Sequence, residues 1–179
     1  MTGVQTCALP IYQARYLKVI RYKTARLFEA SAQLAAILSQ APAGVELACA
    51  EFGGRLGTAF QLIDDVLDYE GHAEQTGKNL GDDLREGKPT LPLIYLLQHG
   101  TLAQRDLVRK AIESGGVDQD HVDFFNIVDA VQSSGALAFT RQQAELEASA
   151  ARQAISLLPA GEAQLALLAL TEYATERSH

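Results

Sequence analysis

Several residue types that mark particular protein classes are scarce in this sequence. It has 2 cysteines, 5 prolines, 1 methionine and no tryptophan among 179 residues. Cys7 and Cys49 match neither a C-x-x-C motif nor a Cys/His metal-binding spacing, which excludes a disulfide framework and a zinc site. A reduced setting is the simplest interpretation, so we expect the protein to be cytoplasmic.

Long apolar runs and an excess of basic residues are also missing. No uninterrupted apolar stretch reaches the roughly 20 residues that span a bilayer, and no targeting signal is recognisable, so we expect no membrane span. The 15 Lys and Arg residues against 22 Asp and Glu give a net charge of -7. This acidic balance argues against nucleic acid as a partner.

The composition that remains is typical of one globular domain. Hydrophobic residues make up 47% of the chain, and a compact domain of this length buries roughly 70% of its unfolded surface. Apolar residues recur at helical spacing from Tyr12 almost to the end, while strand signals are nearly absent. The sequence therefore predicts an all-α fold.

The periodicity and the breaker residues divide the chain into predicted helices. A capping box, Thr101 with Gln104, opens one of them, and Asp118 is a candidate cap for the next. Residues 71–88 contain four glycines and many charges, so we expect a loop there. The predicted helices cover about 12–40, 45–69, 90–98, 101–114, a segment after Asp118, 136–158 and 160–176.

Residues 1–11 have neither helical nor strand periodicity. They resemble the conceptual translation of a common sequencing-adapter oligonucleotide, and we interpret them as artefactual. An ordinary flexible N-terminus is the alternative. On the first interpretation the native sequence begins at about Tyr12, inside a longer reading frame.

One charged residue interrupts the apolar stripe of the first predicted helix. Lys23 stands in a stripe that we expect to face the helix bundle, and an unpaired buried ammonium costs several kcal/mol. Lys23 therefore needs a carboxylate or a bound anion, unless its amine reaches water. Thr24 beside it either donates a hydroxyl or faces solvent. The stripe consists of Tyr16, Ile20, Lys23, Leu27, Ala30, Leu34 and Ile37.

The second predicted helix has a polar stripe beside its apolar one. The polar stripe consists of Gly54, Gly57, Gln61, Asp64 and Asp68, with Asp65 at its edge. The carboxylates lie at the helix C-terminus, where the macrodipole disfavours negative charge, and no Lys or Arg stands three or four residues away. Two carboxylates one turn apart can meet one divalent cation, and magnesium suits carboxylates combined with substrate phosphates. A solvated acidic helix end is the alternative.

The glycine-rich loop adds cations. Lys78, Arg85 and Lys88 stand among glycines that let backbone approach a ligand, which favours a phosphate-binding loop. The alternative is a solvated turn in which neighbouring acidic residues balance these charges.

Three motifs together resemble a known family. They are Lys23-Thr24, residues 57–68 (GTAFQLIDDVLD) and residues 77–92 (GKNLGDDLREGKPTLP). In this order and spacing they closely resemble the C-terminal half of the trans-polyprenyl diphosphate synthases, the polyprenyl synthetase family. Within it the octaprenyl diphosphate synthase type is the nearest match, and the likeness runs from about Tyr12 to the end of the chain.

The resemblance implies a bundle of long helices around a deep cavity, a homodimer and a magnesium-dependent prenyltransferase. In the implied reaction an allylic prenyl diphosphate ionises, isopentenyl diphosphate attacks the carbocation and a proton is lost. Asp64 would ligate Mg²⁺, with Asp65 and Asp68 supporting that ion and its waters. Lys23, Lys78 and Lys88 would hold the allylic diphosphate, and Thr24 and Gln61 would line the reacting end.

The sequence departs from the family pattern in one large respect. The family has two aspartate-rich motifs that face each other, and nothing upstream of Lys23 resembles the first. The residues that limit product length and those that hold isopentenyl diphosphate are also missing. We therefore interpret residues 12–179 as the C-terminal part of one synthase domain, and we expect this chain alone to be inactive. A non-catalytic subunit of a heteromeric synthase and a terpene cyclase-like enzyme are the alternatives.

Overall fold

The computed structural model describes residues 12–70 and 80–177. Within these ranges all regular structure is helical, which confirms the predicted all-α fold. The helices are α1 (Gln13–Ile20), α2 (Arg26–Leu38), α3 (Ala43–Glu70), α4 (Asp82–Arg85), α5 (Leu91–His99), α6 (Leu102–Glu113), α7 (Val122–Ser133), α8 (Ala136–Ala154) and α9 (Glu162–Glu176). None of the helices in these ranges combines the length and apolar character needed to cross a bilayer.

The first predicted helix contains a π-helical turn. Residues Arg21–Ala25 join α1 to α2 without a break, so the chain runs helically from residue 13 to residue 38. A π turn holds more residues than an α turn, so a stripe spaced by three and four does not stay on one face across it. The predicted stripe is therefore wrong beyond this point. Ile20 is buried, but Leu27 and Leu34 are 72% and 55% exposed.

Helix α3 is the centre of the fold. Both α2 and α8 pack along it, and α2 comes unusually close because two glycines of α3 face it. A Cβ on Gly57 would lie 2.7 Å from the Cα of Ala25, and one on Gly53 would lie 2.4 Å from the carbonyl oxygen of Phe28. Glycine at these positions lets the segment that carries Lys23 lie directly against α3.

Two predicted helix caps can be compared with the starts of α6 and α7. The predicted capping box opens α6, where Thr101 and Gln104 each bond to the backbone of the other. The predicted cap at Asp118 is wrong, because α7 begins later. His121 is its N-cap, and His121 accepts a hydrogen bond from the Asp123 amide, while the carbonyl of Asp118 accepts the amide of His121 in the preceding turn.

Two ion pairs tie α8 to the first helices. Glu147 of α8 binds Arg21 through one carboxylate oxygen, at 2.8 Å, and Arg55 of α3 through the other, at 3.0 Å. After α8 a short 3-10 turn, Ile155–Leu157, leads to Pro159 and α9, as the breaker residue predicted. These contacts fix α1 and α3 side by side, and this arrangement leaves a cavity between α1 and the start of α5.

Candidate active site

A cavity of about 420 Å³ lies between α1, α3 and the segment that leads into α5. Its apolar wall includes Val19, Ile20 and Ile94. Its polar lining includes several of the predicted site residues. The predicted site residues among them are Lys23, Gln61, Asp64, Asp65 and Lys88, and the other polar lining residues include Arg15, Tyr16, Asp83 and Thr90. The fold thus brings cations and carboxylates from distant parts of the sequence to one cavity.

Asp65 is the most buried polar residue of the cavity, at 1% exposed. Its Oδ2 accepts hydrogen bonds from the Tyr16 hydroxyl and from the amide of Leu91, the latter at 3.4 Å, and its Oδ1 accepts one from Gln61 at 3.4 Å. Burial raises the pKa of Asp65 to about 8, and the Asp83 carboxylate adds to the rise against the opposing hydrogen bonds. The carboxylate therefore links α1, α3 and the start of α5.

Asp64 is more accessible than Asp65, with 33% of its side chain exposed. Its Oδ2 lies 3.4 Å from the Gln61 amide nitrogen, and its Oδ1 lies 3.8 Å from Arg177. The Thr24 hydroxyl donates to the Gln61 carbonyl oxygen at 3.0 Å. This bond points the Gln61 amide nitrogen toward both carboxylates, so Thr24 and Gln61 orient the aspartate pair.

Asp68 faces the short helix α4. Its two carboxylate oxygens accept the amides of Asp82 and Asp83 at 3.0 and 3.1 Å, and its backbone carbonyl accepts the amide of Gly81 at 2.8 Å. Gly81 has a φ of 72°, in the left-handed region that favours glycine. Asp68 therefore fixes the start of α4 against α3, one turn beyond Asp64.

The predicted cations have different surroundings. Lys88 pairs with Asp83 at 3.1 Å and with Glu86 at 2.6 Å, and the bond to Glu86 is the main cause that raises the pKa of Lys88. Lys23 lines the cavity but is exposed, so of the two alternatives the one in which its amine reaches water is correct. Lys78 lies outside the described residues.

The three aspartates do not form a closed metal cage. In the part of the chain that the structure describes, no three His, Cys, Asp or Glu side chains are grouped to hold a metal ion. Protein donors engage Asp65 and Asp68 from several sides, whereas Asp64 lines the cavity with part of its side chain exposed. This donor set fits a hard cation that takes most of its ligands from water and a bound anion, as magnesium does.

Three residues that contact the site were not predicted as site residues. Tyr16 was expected only as part of the apolar stripe, and Asp83 only as a charge that balances the loop. Arg177 carried no sequence signal, because it reaches Asp64 only through the packing of α9 on α3. The sequence signal for Tyr16 was its polar hydroxyl within the apolar stripe that also holds Lys23.

Comparison of this sequence with known proteins identifies its family. A profile of the family described as Polyprenyl synthetase matches residues 5–128. The chain belongs to this family. It is 46% identical over 167 residues to octaprenyl diphosphate synthase of Escherichia coli K12, which covers 93% of this chain and 51% of that protein. It is also 45% identical to the geranyl-diphosphate-specific all-trans-nonaprenyl-diphosphate synthase of Rhodobacter capsulatus, over 90% of this chain and 48% of that one.

Solved structures agree with this polyprenyl synthetase assignment. A polyprenyl synthase from Caulobacter crescentus CB15, crystallised with calcium and isoprenyl diphosphate, superposes with a TM-score of 0.87 and 37% identity. The match covers 94% of this chain and 51% of that one. The predicted family and fold are thus confirmed, and the chain spans about half the length of the curated relatives it matches.

Proposed function

We propose that this chain supplies the C-terminal part of a trans-prenyltransferase. The complete enzyme condenses isopentenyl diphosphate with an allylic prenyl diphosphate to make a long-chain, octaprenyl-like polyprenyl diphosphate. The observation that carries the proposal is the cavity in which Lys23 and Lys88 lie with Asp64 and an apolar wall. An allylic diphosphate needs this combination of cations, metal-binding oxygen and apolar surface.

The proposed cofactor is Mg²⁺, held by Asp64 together with diphosphate oxygens and water. When bound, the ion would neutralise negative charge on the departing diphosphate. Asp65 and Asp68 support this site from the protein side. Asp65 holds Tyr16 and Gln61 in place, and Asp68 fixes α4 and thereby the loop that carries Lys88.

The cationic side chains bind the anionic end of the substrate. Lys23 and Lys88 reach the cavity, and Lys78 is proposed as a third contact from the same loop. A diphosphate oxygen would compete with Glu86 for the Lys88 ammonium, because Lys88 is 44% exposed and its ion pair with Glu86 lies in water. Val19 and Ile94 would contact the isoprenoid chain. No covalent nucleophile is required.

Several properties of the complete protein belong to the same proposal. We propose a homodimer in the cytoplasm, with residues 12–179 as the C-terminal part of a single domain and residues 1–11 as an artefactual segment. The exposed apolar side chains of the first helices support a larger assembly, since large exposed apolar patches mark interaction surfaces. They include Tyr22, Leu27, Leu34 and Leu38.

A chimera tests the proposal directly. Residues 12–179 would be fused to the N-terminal half of the Escherichia coli octaprenyl diphosphate synthase and incubated with Mg²⁺, isopentenyl diphosphate and an allylic primer. We expect long-chain polyprenyl diphosphate from the chimera and no turnover from the 179-residue chain alone. Asp64→Asn should abolish product, whereas Asp106→Asn, on the exposed face of α6, should not.

Three results would count against the proposal. A folded but inactive chimera would favour the non-catalytic subunit. A cyclic hydrocarbon product would favour a terpene cyclase. Near-normal turnover by the Asp64→Asn chimera would remove this carboxylate from the proposed metal site.

A further inference from the structure

Arg177 reaches from the end of α9 to the turn of α3 that precedes the aspartate pair. One guanidinium nitrogen donates to the carbonyl oxygen of Phe60 at 2.8 Å, and the group lies 3.8 Å from the centre of the Phe60 ring. The same nitrogen lies 3.8 Å from Oδ1 of Asp64. Three contacts thus hold the cation at a fixed place beside one carboxylate.

The position of Arg177 is costly for a charged group. Only 10% of the side chain is exposed, and its Nε is buried without a hydrogen-bond partner. Burial lowers the pKa of Arg177, but a guanidinium remains charged at neutral pH. A surface arginine would avoid this desolvation by turning into water, so the contacts with Phe60 and Asp64 outweigh the cost.

Arg177 contacts Asp64 without lining the cavity itself. Asp64 is part of the cavity lining and Arg177 is not. The Asp64 carboxylate therefore lies next to both the guanidinium and the space in which a ligand would bind. A cation that binds Asp64 from the cavity is therefore repelled by the positive charge of Arg177, which contacts the same carboxylate.

We propose that Arg177 is a positioning residue that fixes the Asp64 carboxylate and disfavours its binding of a bare divalent cation. The cation then binds together with its diphosphate, because a metal–diphosphate unit is negatively charged and is attracted by the guanidinium. This inference rests on the proposed function, since it assumes that Asp64 binds the metal.

The size of the effect follows from Coulomb's law. A divalent ion about 6 Å from a guanidinium in a water-like medium is repelled strongly enough to change a binding constant roughly tenfold. Removal of the guanidinium should therefore strengthen binding of the bare ion and weaken binding of the metal–diphosphate unit. A merely structural arginine would change both affinities in the same direction.

Manganese provides a spectroscopic probe for this test. Free Mn²⁺ would be followed by electron paramagnetic resonance during titration of the 179-residue chain, with and without inorganic diphosphate. We expect Arg177→Met to bind Mn²⁺ alone about five- to tenfold more tightly than wild type and to bind Mn²⁺–diphosphate more weakly. Arg177→Lys, which keeps the charge, should stay closer to wild type.

The control is another arginine that donates to a backbone carbonyl. Arg105 donates to the carbonyl of Gly100 at 2.7 Å, and neither residue lines the cavity. Arg105→Met should leave both manganese affinities within about twofold of wild type, since Arg105 is not among the residues that line the cavity. If Arg177→Met melts early, Arg177→Gln, which retains a donor for Phe60, replaces it in the same titrations.

The outcomes separate this inference from the proposed function. If Asp64→Asn weakens manganese binding but Arg177→Met and Arg177→Gln do not strengthen it, the inference is overturned and the metal role of Asp64 stands. If Asp64→Asn leaves binding unchanged, the metal role of Asp64 fails and the inference fails with it. The inference is also overturned if neither wild type nor the Arg177 variants bind manganese in either titration.

Discussion

The Tyr16 hydroxyl donates a hydrogen bond to the carboxylate of Asp65, across the interface between α1 and α3. The same carboxylate oxygen accepts the amide of Leu91, where α5 begins. One buried side chain therefore sets the relative position of three helices around the cavity. Its neighbour Asp64 lines that cavity with a partly exposed carboxylate. The two consecutive aspartates therefore differ in burial and in what they contact.

Removal of the Tyr16 hydroxyl should destabilise the protein. Tyr16→Phe leaves Asp65 with one donor fewer in a buried place, which typically costs about 1–2 kcal/mol. Urea unfolding at neutral pH measures the loss. Tyr22→Phe is the matched control, because Tyr22 lies nearby and is 67% exposed. Equal changes in the two variants would contradict the role assigned to Tyr16.

Asp65 should make stability depend on pH. Its pKa rises from 3.8 to about 8 on folding, so the folded state binds a proton that the unfolded state releases between these values. The contribution is complete below about pH 4 and is lost as the pH rises to 8. The unfolding free energy of wild type relative to Asp65→Asn should fall by roughly 3–4 kcal/mol between pH 5 and pH 8.

Urea unfolding in the presence of a chelator measures this dependence without bound metal. Asp106→Asn is the control, because the Asp106 side chain is 64% exposed and pairs with Arg109 on the same helix. Its difference from wild type should stay flat over the same pH range. A flat difference for Asp65→Asn as well would mean that Asp65 is ionised throughout.

Gly57→Ala should separate α2 from α3. The added Cβ would lie 2.7 Å from the Cα of Ala25 and 3.0 Å from the Phe28 ring. Overpacking costs about 1–3 kcal/mol, which outweighs the ~1 kcal/mol of helix propensity that alanine gains. We expect a lower melting temperature. Gly44→Ala, in the same helix with nothing within 4 Å of the added Cβ, should be neutral or stabilising.

Asp68→Ala should loosen α4. It removes the acceptor of the Asp82 and Asp83 amides, and loss of such a cap costs about 0.5–2 kcal/mol. Amide hydrogen exchange should accelerate in residues 82–88, while exchange in α8 should stay unchanged. Asp129→Ala, an exposed change in α7, is the control. Unchanged exchange in residues 82–88 would show that α4 is held by other contacts.

The helical architecture was predictable because apolar periodicity governs it. The bounds of the predicted helices agree within a few residues, and the Thr101 capping box has the expected partners, but α4 lies in the segment that was predicted as a loop. The π turn at Arg21–Ala25 was not predictable, since no residue type specifies it. The exposure of Lys23 was one of the two alternatives that its place in the stripe left open.

The candidate site was predictable only in part. Motif spacing identified Gln61, Asp64 and Lys88, and the fold brings all three to the cavity. The separate surroundings of Asp65 and Asp68 were not predictable, because helical spacing gives the direction of a side chain and not its partners. Those partners depend on burial and on hydrogen-bond donors from distant parts of the sequence.

The π turn also bears on how relatives of this chain are aligned. Because the turn holds one residue more than a regular α turn, a relative with an uninterrupted α-helix here would be one residue shorter between Arg21 and Ala25. An alignment without a gap would then pair α2 correctly and misplace every position of α1. Correct register across this segment therefore decides whether a tyrosine in another sequence corresponds to Tyr16.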